Sequence, residues 1–130
     1  MWTEEYPQFA GRHYRIDRPI NEPKDAGRGK IPLWIGGGGE QVTLKLVAQY
    51  ADACNVGGGN PEVIRHKLEV LKGHCEAVGR PYDDVQKTVY YTYDTSKPAS
   101  QLVDELSGLA AMGFDLAIGA VHDVHTLTPL

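Results

Sequence analysis

Ile31-Pro32-Leu33-Trp34-Ile35-Gly36-Gly37-Gly38-Gly39 decides the fold of this chain. An apolar run without polar alternation suits a strand covered on both faces. Pro32 stands near its start, where a missing donor costs least. The run ends abruptly in glycine, and a helical pattern follows over residues 40–50. Val42, Leu46, Val47 and Tyr50 form its expected apolar stripe. A strand that turns into a helix gathers unpaired N–H groups at one point. Glycine there lets the backbone approach a ligand closely. Together these features make Gly36, Gly37, Gly38 and Gly39 candidates for holding a phosphate or carboxylate. Thr43, one turn in, offers a hydroxyl, whereas the Glu40 carboxylate would repel a phosphate unless it points outward. The run is neither a GxGxxG fingerprint nor a Walker loop, since no Gly-Lys-Ser/Thr follows. A turn with no ligand fits the same pattern.

The next units repeat the plan. Residues 51–56 predict a second strand, ended by Gly57, Gly58 and Gly59. Asn60 caps a helix that Pro61 opens. Ile64, Leu68, Leu71, Cys75 and Val78 recur along one face, Gly79 stops the helix and Pro81 forbids its return. Residues 86–93, rich in Val, Thr and Tyr, predict the third strand. A helix follows over 99–112, with Leu102, Val103, Leu106, Leu109 and Ala110 inward and Gly113 as its stop. Residues 114–120 predict the fourth strand. Strands alternating with helices at this spacing define an α/β fold with right-handed crossovers and a parallel sheet. In such a sheet the carboxyl ends of neighbouring strands share a rim. Gly57 and Gly58, with Asn55 near the same strand end, are therefore expected beside the first glycine run. Upstream, Pro7, Gly11, Pro19, Pro23, Gly27 and Gly29 punctuate residues 1–30. The expected organisation is an irregular arm over 1–30, in which Phe9, Tyr14 and Ile16 allow a short hairpin, and βα units over 31–130.

Composition narrows the function. The chain has 130 residues, whereas a complete eight-fold barrel needs roughly 250. The formal net charge of −4, with Asp17 and Glu22 interrupting Arg12, Arg15 and Arg18, argues against nucleic-acid binding. No apolar segment approaches a membrane span and no signal peptide is visible, so a cytoplasmic protein is expected. Cys54 and Cys75 are expected as buried thiols. His66 and His74 share a helix without a completing carboxylate and are expected as surface residues; His122-x-x-His125 suits a metal only if helical, His122 alternatively lines the rim, and no metal site is expected. Asp52 and Asp115 open strands, on the rim opposite to active sites of parallel barrels, and are expected to be structural. Tyr91 and Tyr93 face one way and Tyr90 the other. Such rings are expected to pack a core or layer; the alternative is an inward tyrosine near the strand end that touches a flat ring system. No Ser-His-Asp or Cys-His motif is present, and no side chain is assigned a catalytic role.

Several phrases resemble the luciferase-like monooxygenases. Phe9-Ala10-Gly11-Arg12-His13-Tyr14 is similar to their F-x-G-x-x-Y element, and Pro32-Leu33-Trp34-Ile35-Gly36-Gly37-Gly38-Gly39 to their P-[ILV]-x-I-G-G-x-G strand end. Leu46-Val47-Ala48-Gln49-Tyr50-Ala51-Asp52-Ala53-Cys54-Asn55 resembles L-A-A-R-Y-A-D-G-W-N, with Ala53 and Cys54 departing from it. His74-Cys75-Glu76-Ala77-Val78-Gly79-Arg80 resembles the H-C-x-x-x-G-R phrase of the coenzyme F420 branch, and Gly113-Phe114-Asp115 a final G-[VF]-D. The resemblance implies a partial (β/α)8 TIM barrel whose four parallel strands correspond to barrel strands five to eight. It implies F420, or alternatively FMN, with the phosphate at Gly37, Gly38 and Gly39 and the neighbouring loop at Gly57 and Gly58. The implied activity is F420-dependent hydride transfer once the barrel is complete. The alternatives are an FMN-dependent monooxygenase, and a non-catalytic half-barrel or small α/β binding domain. The expected partners are a small-molecule cofactor and substrate, with homo-oligomerisation or pairing with a complementary half-barrel.

Overall fold

In the computed structural model, residues 3–22, 31–57 and 60–121 are described. The contacts divide the chain into two units, Met1–Pro32 and Leu33–Leu130. In the first, β1 (Gln8–Ala10) pairs antiparallel with β2 (Arg15–Asp17), with Phe9 opposite Ile16. Gly11 N–H donates to Tyr14 O at 2.9 Å and closes the turn. A β-carbon at Gly11 would strike the Phe9 ring. The short hairpin allowed by Phe9, Tyr14 and Ile16 is therefore present.

In the second unit strands and helices alternate. The order is β3 (Trp34–Gly36), α1 (Thr43–Tyr50), β4 (Ala53–Asn55), α2 (Pro61–Ala77), a 3-10 turn (Tyr82–Asp84), β5 (Gln86–Tyr93), α3 (Ala99–Ala111) and β6 (Leu116–Val121). The sheet order is β3-β4-β5-β6, and every pairing in it is parallel. This is a partial (β/α)8 barrel. Asn60 Oδ1 accepts from Val63 N–H at 2.9 Å and caps α2 above Pro61. Gly79, at φ +70°, ends that helix, and Arg80 N–H returns to Cys75 O at 3.0 Å.

The core lies between the helices and one face of the sheet. Leu44, Val47 and Ala48 of α1 and Ile64, Leu68, Leu71 and Cys75 of α2 meet Cys54, Val56, Val85, Val89 and Phe114. Ile35 and Ala117 complete the same sheet face. By alternation, Trp34, Gly36, Ala53, Asn55, Thr88, Tyr90, Leu116 and Ile118 occupy the other face. Burial raises the pKa of both core thiols, Cys54 and Cys75.

Two expected apolar stripes need correction. Helix α1 starts at Thr43, not at residue 40, and its buried residues are Leu44, Val47 and Ala48. Val47 was expected inward, but Val42 is 65% exposed, Tyr50 60% and Leu46 40%. The sheet-facing positions follow the i, i+3, i+4 spacing from Leu44, so residues 42, 46 and 50 fall on a different row. Helix α3 buries none of its residues fully, although Leu109 and Met112 touch the core. It packs on β6, and Tyr91 of β5 donates to its Glu105.

The strand-start acids are structural, as expected. Asp52 Oδ2 accepts from Leu33 N–H and Asp115 Oδ2 from Lys87 N–H, both at 2.7 Å. Each carboxylate thus ties the start of its own strand to a neighbouring one. Asp115 also lies 3.6 Å from Lys87 Nζ, whose side chain is only 7% exposed. The same ammonium sits 4.6 Å from the Tyr82 ring centroid. Burial, reinforced by nearby anionic groups, pushes the Tyr82 phenol up to about 12. Tyr91 is also held at about 12, first because its hydroxyl donates to Glu105.

Candidate cofactor-binding rim

Strand register brings the candidate residues to one edge. Gly36 stands opposite Asn55, Asn55 opposite Thr88, and Thr88 opposite Leu116. The chain leaves β3 at Gly36 and β4 at Asn55, so both glycine-containing turns rise from the same rim. Gly37 N–H donates to Asn55 O at 3.0 Å and joins them. Asn55 Nδ2 donates to Thr88 Oγ1 at 3.0 Å, and that hydroxyl donates to Cys54 O at 2.8 Å. Asn55 is thereby fixed in orientation, and Thr88 is fully buried. A β-carbon at Gly57 would lie 3.7 Å from Asn55 Oδ1 and 3.9 Å from Tyr90 Cβ. Gly57, Asn55 and Tyr90 therefore border one patch. Gly58 lies outside the described residues, as do His122 and His125.

The glycines have different uses. Gly37 has φ +123°, a conformation that side chains rarely adopt, and it turns the chain sharply out of β3. Its N–H is spent on Asn55 O, so Gly37 offers no free donor to a phosphate. This corrects the expectation that its amide helps grip the anion. The N–H groups of Gly38 and Gly39 have no acceptor among the described residues. A β-carbon at Gly39 would sit 2.9 Å from Thr43 Oγ1, so the first helical side chain leans over the run. A β-carbon at Gly36 would meet nothing within 4 Å.

Electrostatics around the run come mostly from α2. Glu40 is not at the helix start: its Oε1 lies 3.4 Å from His66 Nε2. Lys67 Nζ donates to Gly38 O at 2.8 Å. His74 Nε2 lies 2.8 Å from Glu40 O, and the residue is half-buried rather than a plain surface histidine. Periodicity did not single out Lys67, because a lysine beside a helix's apolar stripe looks like an ordinary solvated cation. The H-C-x-x-x-G-R phrase now has a physical basis. His74 and Arg80 both bond carbonyls in or before α1, the latter at Ala48 O, 3.4 Å away, while Cys75 fills the core between them.

The open sheet face carries flat side chains. Trp34 is 46% exposed and Tyr90 55%. Tyr91 and Tyr93 point the other way and meet edge to face, with ring centroids 4.9 Å apart. Gly119 leaves the room that the Tyr93 ring fills. Among the described residues no group of three or more His, Cys, Asp or Glu side chains is arranged to hold a metal ion. No helix among them is long and apolar enough to cross a membrane.

The four parallel strands with helices on one side define a segment of a (β/α)8 barrel. The family model for luciferase-like monooxygenases matches residues 1–126, and the chain belongs to that family. An F420-dependent secondary alcohol dehydrogenase in complex with an F420-acetone adduct superimposes with a TM-score of 0.76 at 13% identity. The match covers 95% of this chain and 53% of that one. The coenzyme F420-dependent tetrahydromethanopterin reductase from Methanopyrus kandleri gives 0.69 at 11% identity, over 90% and 52%. A riboflavin lyase with modified FMN and riboflavin gives 0.57 at 12% identity, over 82% and 24%. The chain thus spans about half the length of the first two structures. No curated protein sequence matches it.

Proposed function

We propose that this chain supplies the phosphate-gripping half of a flavin-type oxidoreductase of the F420-dependent branch. The observation that carries the proposal is the joined rim: Gly36, Gly38 and Gly39 next to Asn55 and Gly57, with two glycine amides lacking acceptors among the described residues. Gly58 belongs to the same proposal by its place in the sequence. Backbone donors at the start of a helix suit an anionic tail without any net positive charge on the protein. Gly37 contributes by turning the chain and by fixing Asn55 rather than by donating. Tyr90 and Trp34, on the open sheet face, offer apolar area to a ring system. A bound deazaflavin would supply the hydride chemistry, and the residues here would orient it and keep its tail in place. The four strands correspond on this reading to barrel strands five to eight, with the substrate approaching the same rim. FMN is the alternative cofactor, because its phosphate makes the same demand.

The cofactor proposal is tested by titrating the purified chain with F420, FMN and riboflavin and following their fluorescence. Saturable binding of F420 or FMN, with riboflavin weaker because it lacks the phosphate, is expected. A charge-assisted hydrogen bond contributes about 1.5–3 kcal/mol, so the preference for FMN over riboflavin should be roughly tenfold or more. Equal affinity for FMN and riboflavin, or no binding of any of the three, removes the phosphate grip from this chain.

A second reading is a half-barrel that pairs without turnover. It is favoured by the exposed Trp34, Tyr90, Leu116 and Ile118 on one sheet face and by the two edges β3 and β6. Light scattering that finds a dimer favours pairing with a second copy, and a stable monomer argues against it.

A further inference from the structure

Helix α2 lays Lys67 and His74 against the glycine run from one side. They are seven residues apart, two helical turns, and so project from the same face. Lys67 Nζ donates to Gly38 O and His74 Nε2 meets Glu40 O, each at 2.8 Å. A carbonyl only accepts, so this histidine nitrogen carries the hydrogen. Between the two contacts, Gly39 O accepts from Leu44 N–H at 2.9 Å. Three successive carbonyls of an otherwise loose glycine turn are therefore held, two of them by α2.

The peptide geometry has a consequence. In a trans peptide the C=O and the N–H of the next residue point in opposite directions. Holding Gly38 O towards Lys67 turns Gly39 N–H away from α2. Holding Glu40 O towards His74 does the same for Gln41 N–H. Neither N–H has an acceptor among the described residues. Four consecutive glycines have wide conformational freedom, so free donors there would not converge unaided. Preorganised donors are worth more than donors that must be ordered by the ligand.

We infer that Lys67 and His74 are positioning residues that aim the Gly39 and Gln41 amides at the phosphate of an anionic ligand. The inference rests on the phosphate-gripping role proposed above and names the side chains that create it. Lys67 acts through Gly38 O, and His74 through Glu40 O. The Glu40 carboxylate is turned to His66, with Oε1 3.4 Å from Nε2.

The test is an amide-resolved NMR titration of the 15N-labelled full chain with inorganic phosphate. In the wild type, the Gly39 and Gln41 signals should shift together and saturate. Lys67→Met keeps the aliphatic stem but loses the donor. It should weaken phosphate about tenfold, the scale of one charged hydrogen bond, and shrink the Gly39 shift at saturation. Lys67→Arg should restore both. His74→Leu should shrink the Gln41 shift selectively, and His74→Gln, which still donates, should preserve it. Thermal midpoints recorded alongside separate these changes from loss of fold. Unchanged affinity and unchanged Gly39 shift in Lys67→Met overturn the inference. So does weaker affinity with a full Gly39 shift at saturation, because Lys67 would then act only as a charge. No saturable shift in the wild type is a different result: it removes the phosphate grip itself.

Discussion

Leu71→Ala should lower the unfolding free energy by about 3–5 kcal/mol, the upper range for truncating a large core side chain. Leu71 is fully buried near the middle of α2. It belongs to the cluster in which α1, α2 and the sheet meet. The cost combines lost transfer energy with a cavity that close-packed neighbours fill only in part. Surroundings tied by hydrogen bonds collapse least, and here Arg80 and His74 brace α2 against carbonyls in or before α1. Urea denaturation followed by circular dichroism measures the change. A loss under 1 kcal/mol would mean that this cluster is not the centre of the fold. An exposed control on the same helix, Glu69→Ala, should stay within about 0.5 kcal/mol of the wild type.

Gly37→Val should cost about 2–3 kcal/mol and also weaken the phosphate site. Its φ of +123° is strained for any side chain, and a β-branched one tolerates it least. The new β-carbon would lie 3.3 Å from Thr43 Cγ2, so the first residue of α1 would have to give way as well. The Gly37 N–H bond to Asn55 O couples the two turns of the rim. Relief of the strain would therefore shift Gly38 and Gly39 relative to Asn55. Denaturation and the FMN titration should both register the change. Gly36→Ala is the contrasting variant: a β-carbon there meets nothing within 4 Å, so stability should change little. Wild-type stability in Gly37→Val would show that the turn adopts another conformation.

Much of the fold was legible because its signals are local. Apolar runs ended by glycine placed β3 and β4, although β3 is only Trp34–Gly36 and Trp34 is half-exposed rather than covered on both faces, and the Asn60-Pro61 start and the Gly79 stop bounded α2 almost to the residue. The span of β5 agreed at both ends, since Val, Thr and Tyr dominate it. The strand-start acids were recognisable from position alone. Chain order and spacing, with the family resemblance, were enough for a parallel sheet of partial-barrel type.

Other features were decided only by packing. The face that α1 buries depends on where its first turn forms, and that turn begins only after Val42. No periodicity in residues 40–50 carries that information. Helix α3 has a sound apolar stripe, yet none of its residues is fully buried. Nor did the glycine run reveal that Gly37 spends its amide on Asn55 O or that Lys67 and His74 hold the carbonyls. Those bonds join residues 18, 29 and 34 positions apart. Sequence alone determined the elements, their order and the place where backbone donors gather. Tertiary structure decided which donors stay free, because a hydrogen bond between distant residues exists only once helices and strands have been brought within 3 Å of each other.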